Sequence, residues 1–447
     1  MRKTWKLSLI GLAFLSFSQQ AEARQWTLKD CIDYALQNNI SLQKARIQKL
    51  TAKEDVKQSQ AALLPSLDFN TSHNVSYNPW PQSNRTIVAS SQVQTSVDKV
   101  YYNGSYGLNA NWTVWNGNQN RNQVKLNKLS AQQAELDSAV SANSIQEQIA
   151  QLFVQILYSN EAIKVSKNAL ETSKTNEERG KTFVEVGKMS KANLAQLTAQ
   201  RAQDEYNVVQ AESNLKNYKR QLKQLLQITD EEEFDVVVPE TTDMMALQDI
   251  PTMQTVYASA LDSRPEIKNA QLGIEASNVQ IKLAKGYRYP TISLNAGIAT
   301  NHNSLSNYEW GKQMKNNFNI GGGFTLSIPI LDRRQTKTAV NKAMLQKESY
   351  MLDLRDRQTT LYSTIENYWL QAITNQNMFK AAKTSTESAQ TSYDLLSEQF
   401  RLGLKNIVEL MTGRDNLLQA QQNELQSKYL TILNINMLNF YKNGELK

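Results

Sequence analysis

The stretch that decides the fold is residues 105–114, which read Ser-Tyr-Gly-Leu-Asn-Ala-Asn-Trp-Thr-Val. Every second residue in it is apolar or aromatic, and the residues between them are small or polar. A period of two is typical of a β-strand, and this pairing of faces is the pattern of a strand between lipid and a wet lumen. About eleven residues at ~3.3 Å each, tilted near 45°, cover roughly 25 Å of membrane thickness. The predicted apolar face comprises Tyr106, Leu108, Ala110, Trp112 and Val114.

Three further stretches alternate in the same way, namely residues 67–77, 291–298 and 323–330. Aromatic residues cluster at the ends of the stretches, where the aromatic belt of a membrane strand is expected. A soluble, half-buried sheet also alternates, but agreement among four stretches favours membrane strands. The aromatic residues at the ends are Tyr77, Trp80, Tyr101, Tyr102, Trp115, Tyr289, Tyr308 and Trp310.

Long polar helices are predicted between the strand pairs. Residues 119–178 and 335–400 contain no proline and no glycine, and their apolar residues recur with coiled-coil spacing. Sixty residues at ~1.5 Å each make a rod of roughly 90 Å. Shorter helices are predicted over residues 27–62 and 190–228. An ordinary helical bundle explains the helices alone equally well, so the strands decide between the two folds.

The chain is an internal duplication. A shift of 225 residues places Pro65 on Pro290, and a shift of 216 residues places Gly187 on Gly403. Each copy reads helix, two strands, long helix, tight turn and helix, and such repeats bury their apolar faces against one another. We expect a first repeat over residues 24–228, a joining segment over 229–250 and a second repeat over 251–447.

The N-terminus has the features of a secretory signal peptide over residues 1–23. Basic residues precede an apolar run from Leu7 to Phe17, and Ala21-Glu22-Ala23 is a small-x-small cleavage site. Its removal takes away three cations and one anion, which lowers the formal net charge from +7 to +5. The single cysteine, Cys31, cannot form an internal disulfide and is predicted to be a small buried residue of a helix.

Four strands cannot close a barrel, because closure of a membrane barrel needs at least eight. Open strand edges in lipid would leave backbone groups without hydrogen bonds, at several kcal/mol each. The chain is therefore expected to share its barrel with copies of itself. Two chains would supply eight strands with a filled interior, whereas three would supply twelve strands around an aqueous lumen.

These features resemble the TolC family of outer-membrane efflux proteins over nearly all of the mature chain. The resemblance implies a homotrimer that combines a twelve-stranded membrane β-barrel with a long α-helical coiled-coil tunnel across the periplasm. It further implies docking to a periplasmic adaptor and an inner-membrane transporter, for export of small molecules or proteins by a tripartite efflux or type I secretion system. The acidic joining segment resembles the equatorial belt of the family, with a plain solvated linker as the alternative. The motifs that carry the resemblance are residues 26–36, the corners 64–67 and 289–292, and the turns 186–188 and 402–404.

The resemblance also implies which residues dock to the adaptor. The family commonly has an apolar residue after the turn glycine, a feature that Leu404 keeps and Lys188 lacks. The alternative interpretation of the two glycines is turn geometry alone. The expected docking residues are Gly187, Lys188, Met189 and Ser190 in the first copy, and Gly403, Leu404, Lys405 and Asn406 in the second.

A constriction of the tunnel is implied near the second turn. The acidic ring of the family falls by position on Glu409 and Thr412, of which only Glu409 is acidic, and Asn193 holds the corresponding position in the first copy. Three carboxylates in a trimer would attract cations and repel one another. As the alternative, Lys405 and Glu409 form an exposed helix pair four residues apart. The expected constriction residues are Asn193, Phe400, Lys405 and Glu409.

Other functions have weaker support in the sequence. A periplasmic adaptor or a structural coiled-coil protein without channel activity is the alternative, but neither explains strands with aromatic ends. No enzyme, cofactor or metal site is expected, because the sequence lacks a phosphate-binding loop and metal-ligand spacing, and neither His73 nor His302 has a ligand cluster nearby in sequence. Basic residues are mixed with acidic ones along the helices, which does not indicate nucleic-acid binding.

Overall fold

The computed structural model describes residues 24–80, 84–88, 91–95, 99–229, 234–238, 242–306 and 308–446. The predicted signal peptide lies outside these residues. The described residues form two compact units, and each draws on both repeats. The sheet unit comprises Ser41–Asn143 and Gln254–Glu366, and the tip unit comprises the described parts of Met1–Ile40, Ser144–Met253 and Asn367–Lys447.

The two long helices, α3 and α9, have 67 residues each, and α3 continues seven residues beyond its predicted end. The predicted helix over residues 27–62 is divided at Asn39, whose backbone is extended and whose side chain donates to the Leu225 carbonyl at 2.9 Å. The described helices are α1 (Leu28–Asn38), α2 (Ile40–Ala61), α3 (Gln119–Glu185), α4 (Lys191–Leu226), α5 (Thr242–Ala246), α6 (Met253–Ser263), α7 (Pro265–Gly286), α8 (Trp310–Asn316), α9 (Gln335–Arg401) and α10 (Ile407–Asn443).

The sheet unit is built on a four-stranded antiparallel sheet with the strand order β2-β5-β7-β8. The loops within each copy differ, because a separate hairpin, β3-β4, follows β2 whereas helix α8 follows β7. The described strands are β1 (Arg24–Trp26), β2 (Ser66–Tyr77), β3 (Asn84–Val88), β4 (Ser91–Thr95), β5 (Val100–Asn116), β6 (Phe234–Val236), β7 (Thr291–Asn303) and β8 (Asn319–Ser327).

The register of the sheet aligns the apolar residues of all four strands on one face. Leu108 pairs with Phe69 and Ile298, and Leu294 pairs with Phe324. Most of these side chains are exposed in the single chain, and Phe69 keeps 66 % of its accessible surface. Since a soluble sheet would bury such a face, this face is suited to apolar surroundings.

Two details of the predicted strands are wrong. The register shifts between Thr113 and Trp115, so that Val114 has no partner on β7 and Trp115 pairs with Ile292 in the apolar row. One extra residue in a strand reverses the alternation beyond it, which period counting does not detect. Strand β8 ends at Ser327 rather than at Ile330, and Pro329 lacks the N–H that a ladder would need.

The tip unit anchors both ends of the first repeat. Strand β1 pairs in parallel with β6, and Trp26 packs its ring against Tyr34 and Phe234. Helix α1 follows, and Cys31 lies fully buried in it as predicted, which raises the pKa of its thiol to about 12. Residues 24–26 are thus tied to the segment that joins the repeats.

The joining segment contacts the second repeat through residues 242–250, although several of its side chains remain exposed. At the start of α5, the Asp243 carboxylate accepts from Lys383 Nζ at 3.0 Å and lies 3.5 Å from Lys428 Nζ. At its end, the Gln376 amide donates to the Ala246 carbonyl at 3.0 Å. Lys383 and Gln376 belong to α9 and Lys428 to α10, so this short helix is held at both ends by the second repeat.

Candidate functional site

The two turns between the long and short helices have the same backbone geometry. Gly187 has φ of +75° and Gly403 has φ of +77°, in the left-handed region that favours glycine. The Lys188 N–H donates to the Phe183 carbonyl at 2.7 Å, and the Leu404 N–H donates to the carbonyl five residues before it at 2.9 Å. Each turn is therefore a Schellman motif that satisfies the last carbonyls of a long helix.

The helices that leave the turns are capped differently. In the first copy, the Ser190 side chain accepts from the Asn193 N–H at 3.1 Å. In the second copy, the Asn406 side chain accepts from the Glu409 N–H at 3.0 Å, and the Glu409 carboxylate accepts from the Asn406 N–H at 3.3 Å. The second turn thus has a complete capping box and the first has half of one.

Glu409 is engaged at both carboxylate oxygens. Its Oε1 accepts from Lys405 Nζ at 2.5 Å, while Oε2 accepts from the Asn406 backbone. The hydrogen bond from Lys405, together with that from Asn406, holds the pKa of the Glu409 carboxyl below its usual value. The described contacts therefore match the helix-pair interpretation of Lys405 and Glu409, and both side chains remain partly exposed to water.

Phe400 belongs to the core of the tip. It is only 4 % exposed, and its ring centroid lies 6.0 Å from that of Phe183 on the neighbouring long helix. Met189 packs against the same core and is half-buried. The structure thus brings Phe400 and Met189 together inside the tip. The other buried members of this core are Leu197, Tyr393, Ile407, Leu410 and Leu417.

The remaining docking residues are exposed at the turns. Leu404 keeps 72 % of its accessible surface. Neither turn glycine has an atom within 4 Å of the position that a Cβ would take. Apolar residues beside the turns enlarge this surface, which we name the tip surface. It comprises Val186, Lys188, Ser190, Leu402, Leu404, Asn406 and Val408.

A buried ion pair lies farther along the tip helices and was not expected from the sequence. Asp204 on α4 is 1 % exposed, and its carboxylate accepts from the Arg414 guanidinium on α10 and from the Ser173 hydroxyl on α3. Arg414 also donates to the exposed Asp415 at 3.1 Å. Burying a charge costs free energy unless it is paired, so this pair couples helices of both repeats.

The sheet has a polar face opposite its apolar one. Asn109 lies over Gly297, where an added Cβ would come within 3.0 Å of the asparagine Oδ1, and Asn295 lies over Gly323 in the same way. Amide side chains above glycines give an uncharged, hydrogen-bonding surface. This is the face that the sequence predicts to line the lumen.

The sheet also brings together the only two histidines of the chain, His73 and His302, which the sequence pattern treats as unrelated. Among the described residues, no group of three or more His, Cys, Asp and Glu is placed to hold a metal ion. Nor does any helix in the described ranges have the length and apolarity needed to cross a membrane.

Known proteins share this sequence pattern and this fold. The family described as outer membrane efflux protein matches residues 31–226 and 256–441. Toxin and drug export protein A of Aggregatibacter actinomycetemcomitans is 22 % identical over 420 residues, which cover 91 % of this chain and 83 % of that protein. The outer membrane protein TolC of Vibrio cholerae is 21 % identical over 411 residues, which cover 91 % of this chain and 88 % of that protein.

A solved structure agrees with the sequence comparison. The Campylobacter jejuni CmeC outer membrane channel superposes with a TM-score of 0.77 at 19 % identity, covering 94 % of this chain and 86 % of that one. The helical tunnel and β-barrel fold, with its repeat matched twice, favours the channel over the adaptor and the structural coiled coil. The chain belongs to the outer membrane efflux protein family.

Proposed function

We propose that three copies of the chain assemble into a homotrimer whose sheets close one twelve-stranded barrel in the outer membrane. The observation that carries the proposal is the apolar face of the sheet together with its two edges. Within the described residues, β2 and β8 each pair on one side only. Unpaired backbone groups in lipid cost several kcal/mol each, so the edges need neighbouring chains.

The mass of the detergent-solubilised protein tests the assembly. We expect light scattering, corrected for bound detergent, to give three chains per particle. Circular dichroism of the same sample should report the full β content. A stable monomer that keeps the full β content would contradict the trimer, because its strand edges would then need no partner.

The trimer would serve as a passive conduit, without catalysis, for small molecules or proteins. Its partners would be a periplasmic adaptor and an inner-membrane transporter of a tripartite efflux or type I secretion system. The names of the relatives, which include toxin and drug export, support this role. A strain that lacks the chain should accumulate a fluorescent dye, and expression of the chain should reverse the accumulation. Unchanged accumulation of dye together with unchanged protein secretion would contradict export.

The tip surface is the proposed contact with the adaptor. Its exposed apolar side chains lie beside Lys188 and Lys405. This surface would suit an adaptor hairpin whose end carries apolar and acidic residues. Replacement of Leu404 by Asp should abolish export and adaptor crosslinking while trimer yield stays normal. Leu247 is a matched control, since it is also an exposed leucine of the tip unit but lies outside the turns. If Leu247→Asp reduced export and crosslinking as much as Leu404→Asp, or if Leu404→Asp reduced neither, turn geometry would be the only role left for the turn residues.

Glu409 is the proposed acidic residue of the constriction. Three copies would carry three Lys405–Glu409 pairs around the narrowest part of the tunnel, with Asn193 as the neutral counterpart in the first copy. Phe400 would act there through packing, since its side chain lies in the tip core. The carboxylates would bias the ring toward cations, and a single acidic layer should make the effect modest.

A further inference from the structure

Both histidines of the chain stand beside one glycine. His73 on β2 and His302 on β7 each pair with Gly104, which lies on β5 between them. The three residues therefore share one row of the sheet and one face. The centroids of the two imidazole rings are 6.3 Å apart.

The absent side chain of Gly104 makes this approach possible. A Cβ on Gly104 would lie 2.2 Å from Cε1 of His302 and 2.9 Å from both of its ring nitrogens. The His302 ring thus occupies the space above the glycine and leans over the middle strand toward His73. Any larger residue at position 104 would displace it.

Two tyrosines enclose the imidazoles along the same strand. Tyr102 and Tyr106 flank Gly104 at two residues on either side, and their rings lie within 5.2–6.1 Å of the His302 ring. The Tyr102 hydroxyl shares a hydrogen bond with Nδ1 of His73, which fixes the orientation of that ring. The other nitrogen of His73 lies 3.1 Å from the Thr71 hydroxyl.

His302 has a ring nitrogen that is not satisfied. Its side chain is 8 % exposed, and Nδ1 is buried with no hydrogen-bond partner among the described residues. A buried polar atom without a partner costs about 1–3 kcal/mol, so such an atom in a folded protein calls for a missing partner. The unpaired nitrogen lies in a ring whose centroid is 6.3 Å from that of a second imidazole, at an angle of 53° between the two ring planes.

We propose that His302 and His73 bind a divalent transition metal ion of the Zn²⁺ or Cu²⁺ type on the apolar face of the sheet. Imidazole nitrogens suit these ions at about 2.0–2.1 Å. The ligands would be Nδ1 of His302 and Nε2 of His73, and the latter would exchange its contact with the Thr71 hydroxyl for the ion. Tyr102 belongs to the predicted aromatic belt, so water at the membrane surface would complete the coordination. The Tyr102 hydroxyl on Nδ1 would orient the His73 ring, as hydrogen bonds to the other ring nitrogen orient metal-bound imidazoles. The ion would tie β2 to β7 across β5. This site lies opposite the polar face, so it is separate from the proposed export path and independent of the cargo.

Calorimetric titration of the tag-free mature protein in detergent with ZnCl₂ tests the site. We expect about one ion per chain, and at least a tenfold weaker affinity in His73→Gln and in His302→Gln. His73 is exposed, so its replacement should leave the fold intact. Gly104→Ala keeps both imidazoles but fills the space of the His302 ring, and it should weaken binding as well. Unchanged affinity in the two histidine variants would overturn the proposal, as would the absence of saturable binding to the unmodified protein.

Electron paramagnetic resonance with Cu²⁺ supplies a second readout that does not depend on stability. Hyperfine coupling to two nitrogens is expected in the unmodified protein and coupling to one in His73→Gln. If the unmodified protein bound the metal normally but did not support export, the metal site would be retained and only the proposed channel function would be contradicted. A spectrum that is identical in the two proteins would reject the site.

Discussion

The sheet and the helical tip place their side chains in opposite ways. In the sheet, Phe69 and Phe324 lie exposed on a continuous apolar face, whereas in the tip Asp204 and Arg414 are buried as an ion pair. Exposed apolar area is costly in water and favourable in lipid, and buried charge is costly unless it is paired. The contrast teaches that the sheet is adapted to apolar surroundings, whereas the tip buries an apolar core and adds a buried ion pair that joins its helices.

The largest expected effect comes from breaking the buried pair. Arg414→Met leaves Asp204 as a buried charge without its main partner and should cost about 3–5 kcal/mol. The double variant Asp204→Leu with Arg414→Met removes both charges and should recover most of that loss. Thermal unfolding of the detergent-solubilised protein, followed by circular dichroism, measures both.

A matched control exists on the surface of the same unit. Arg401 pairs with Glu398 at 2.5 Å, but both side chains are more than half exposed. Arg401→Met should therefore change the unfolding temperature little, because exposed pairs are screened by water. If Arg401→Met and Arg414→Met were equally harmful, burial of the pair would not be the cause.

The faces of the sheet should respond to a charge in opposite ways. Leu294→Arg places a charge on the apolar face and should cost about 2–4 kcal/mol near the middle of the membrane, while Asn295→Arg on the polar face should be tolerated. Leu108 and Asn109 form a second such pair on β5. The yield of trimer in the outer membrane measures the effect. Equal damage in both members of a pair would refute the assignment of the faces.

The sheet was largely predictable because each of its faces meets one kind of surroundings over its whole length. The alternation of apolar and polar residues predicted all four long strands, and the absence of proline and glycine predicted the long helices. The bulge at Val114 escaped prediction, because the alternation is regular on either side of it and only the pairing reveals the extra residue. The docking of α5 escaped for a similar reason, since its partners Lys383 and Lys428 look like solvated helix charges.

The tip and the histidine pair were less predictable, since their key contacts join distant parts of the chain. Asp204 and Arg414 lie on helices whose charged residues are mostly exposed, and composition does not distinguish one buried carboxylate among many exposed ones. His73 and His302 meet only because strand order places β2 and β7 on either side of β5. The turn glycines, in contrast, were found from the duplication alone.

The glycines allow a smaller test of the same contrast. Gly403→Ala forces a Cβ into a left-handed conformation and should cost about 1–2 kcal/mol. Gly311→Ala is the matched control, because it also has open space around it but lies inside helix α8 of the sheet unit. Gly311 lies in the first turn of α8, where alanine is a better helix former than glycine, so this variant should be neutral or stabilising. Equal loss of thermal stability in both would show that conformation at the turn is not the reason for the glycine.

The smallest effect on stability, and the most informative one for function, is expected from Glu409→Gln. The Lys405–Glu409 pair is exposed, so its loss should leave the unfolding temperature nearly unchanged at pH 7. Hydrogen bonding from Lys405 lowers the pKa of Glu409, so whatever stability the carboxylate contributes is present above pH 4.5 and is lost as the pH falls through the lowered pKa. The variant and the unmodified protein should therefore converge in acid.

Planar-bilayer conductance separates a surface pair from a constriction. If three Glu409 carboxylates line the narrowest part of the tunnel, Glu409→Gln should reduce cation preference at pH 7 and remove the acid response of the conductance. Glu398→Gln is the matched control, because it removes an exposed carboxylate that pairs with a cation of the same helix on the other side of the turn. Conductance, ion preference and pH response that are all unchanged in Glu409→Gln would make Glu409 a capping residue of α10 only. The difference between Glu409 in the second copy and Asn193 in the first would then affect the capping of the helices and not the passage of ions.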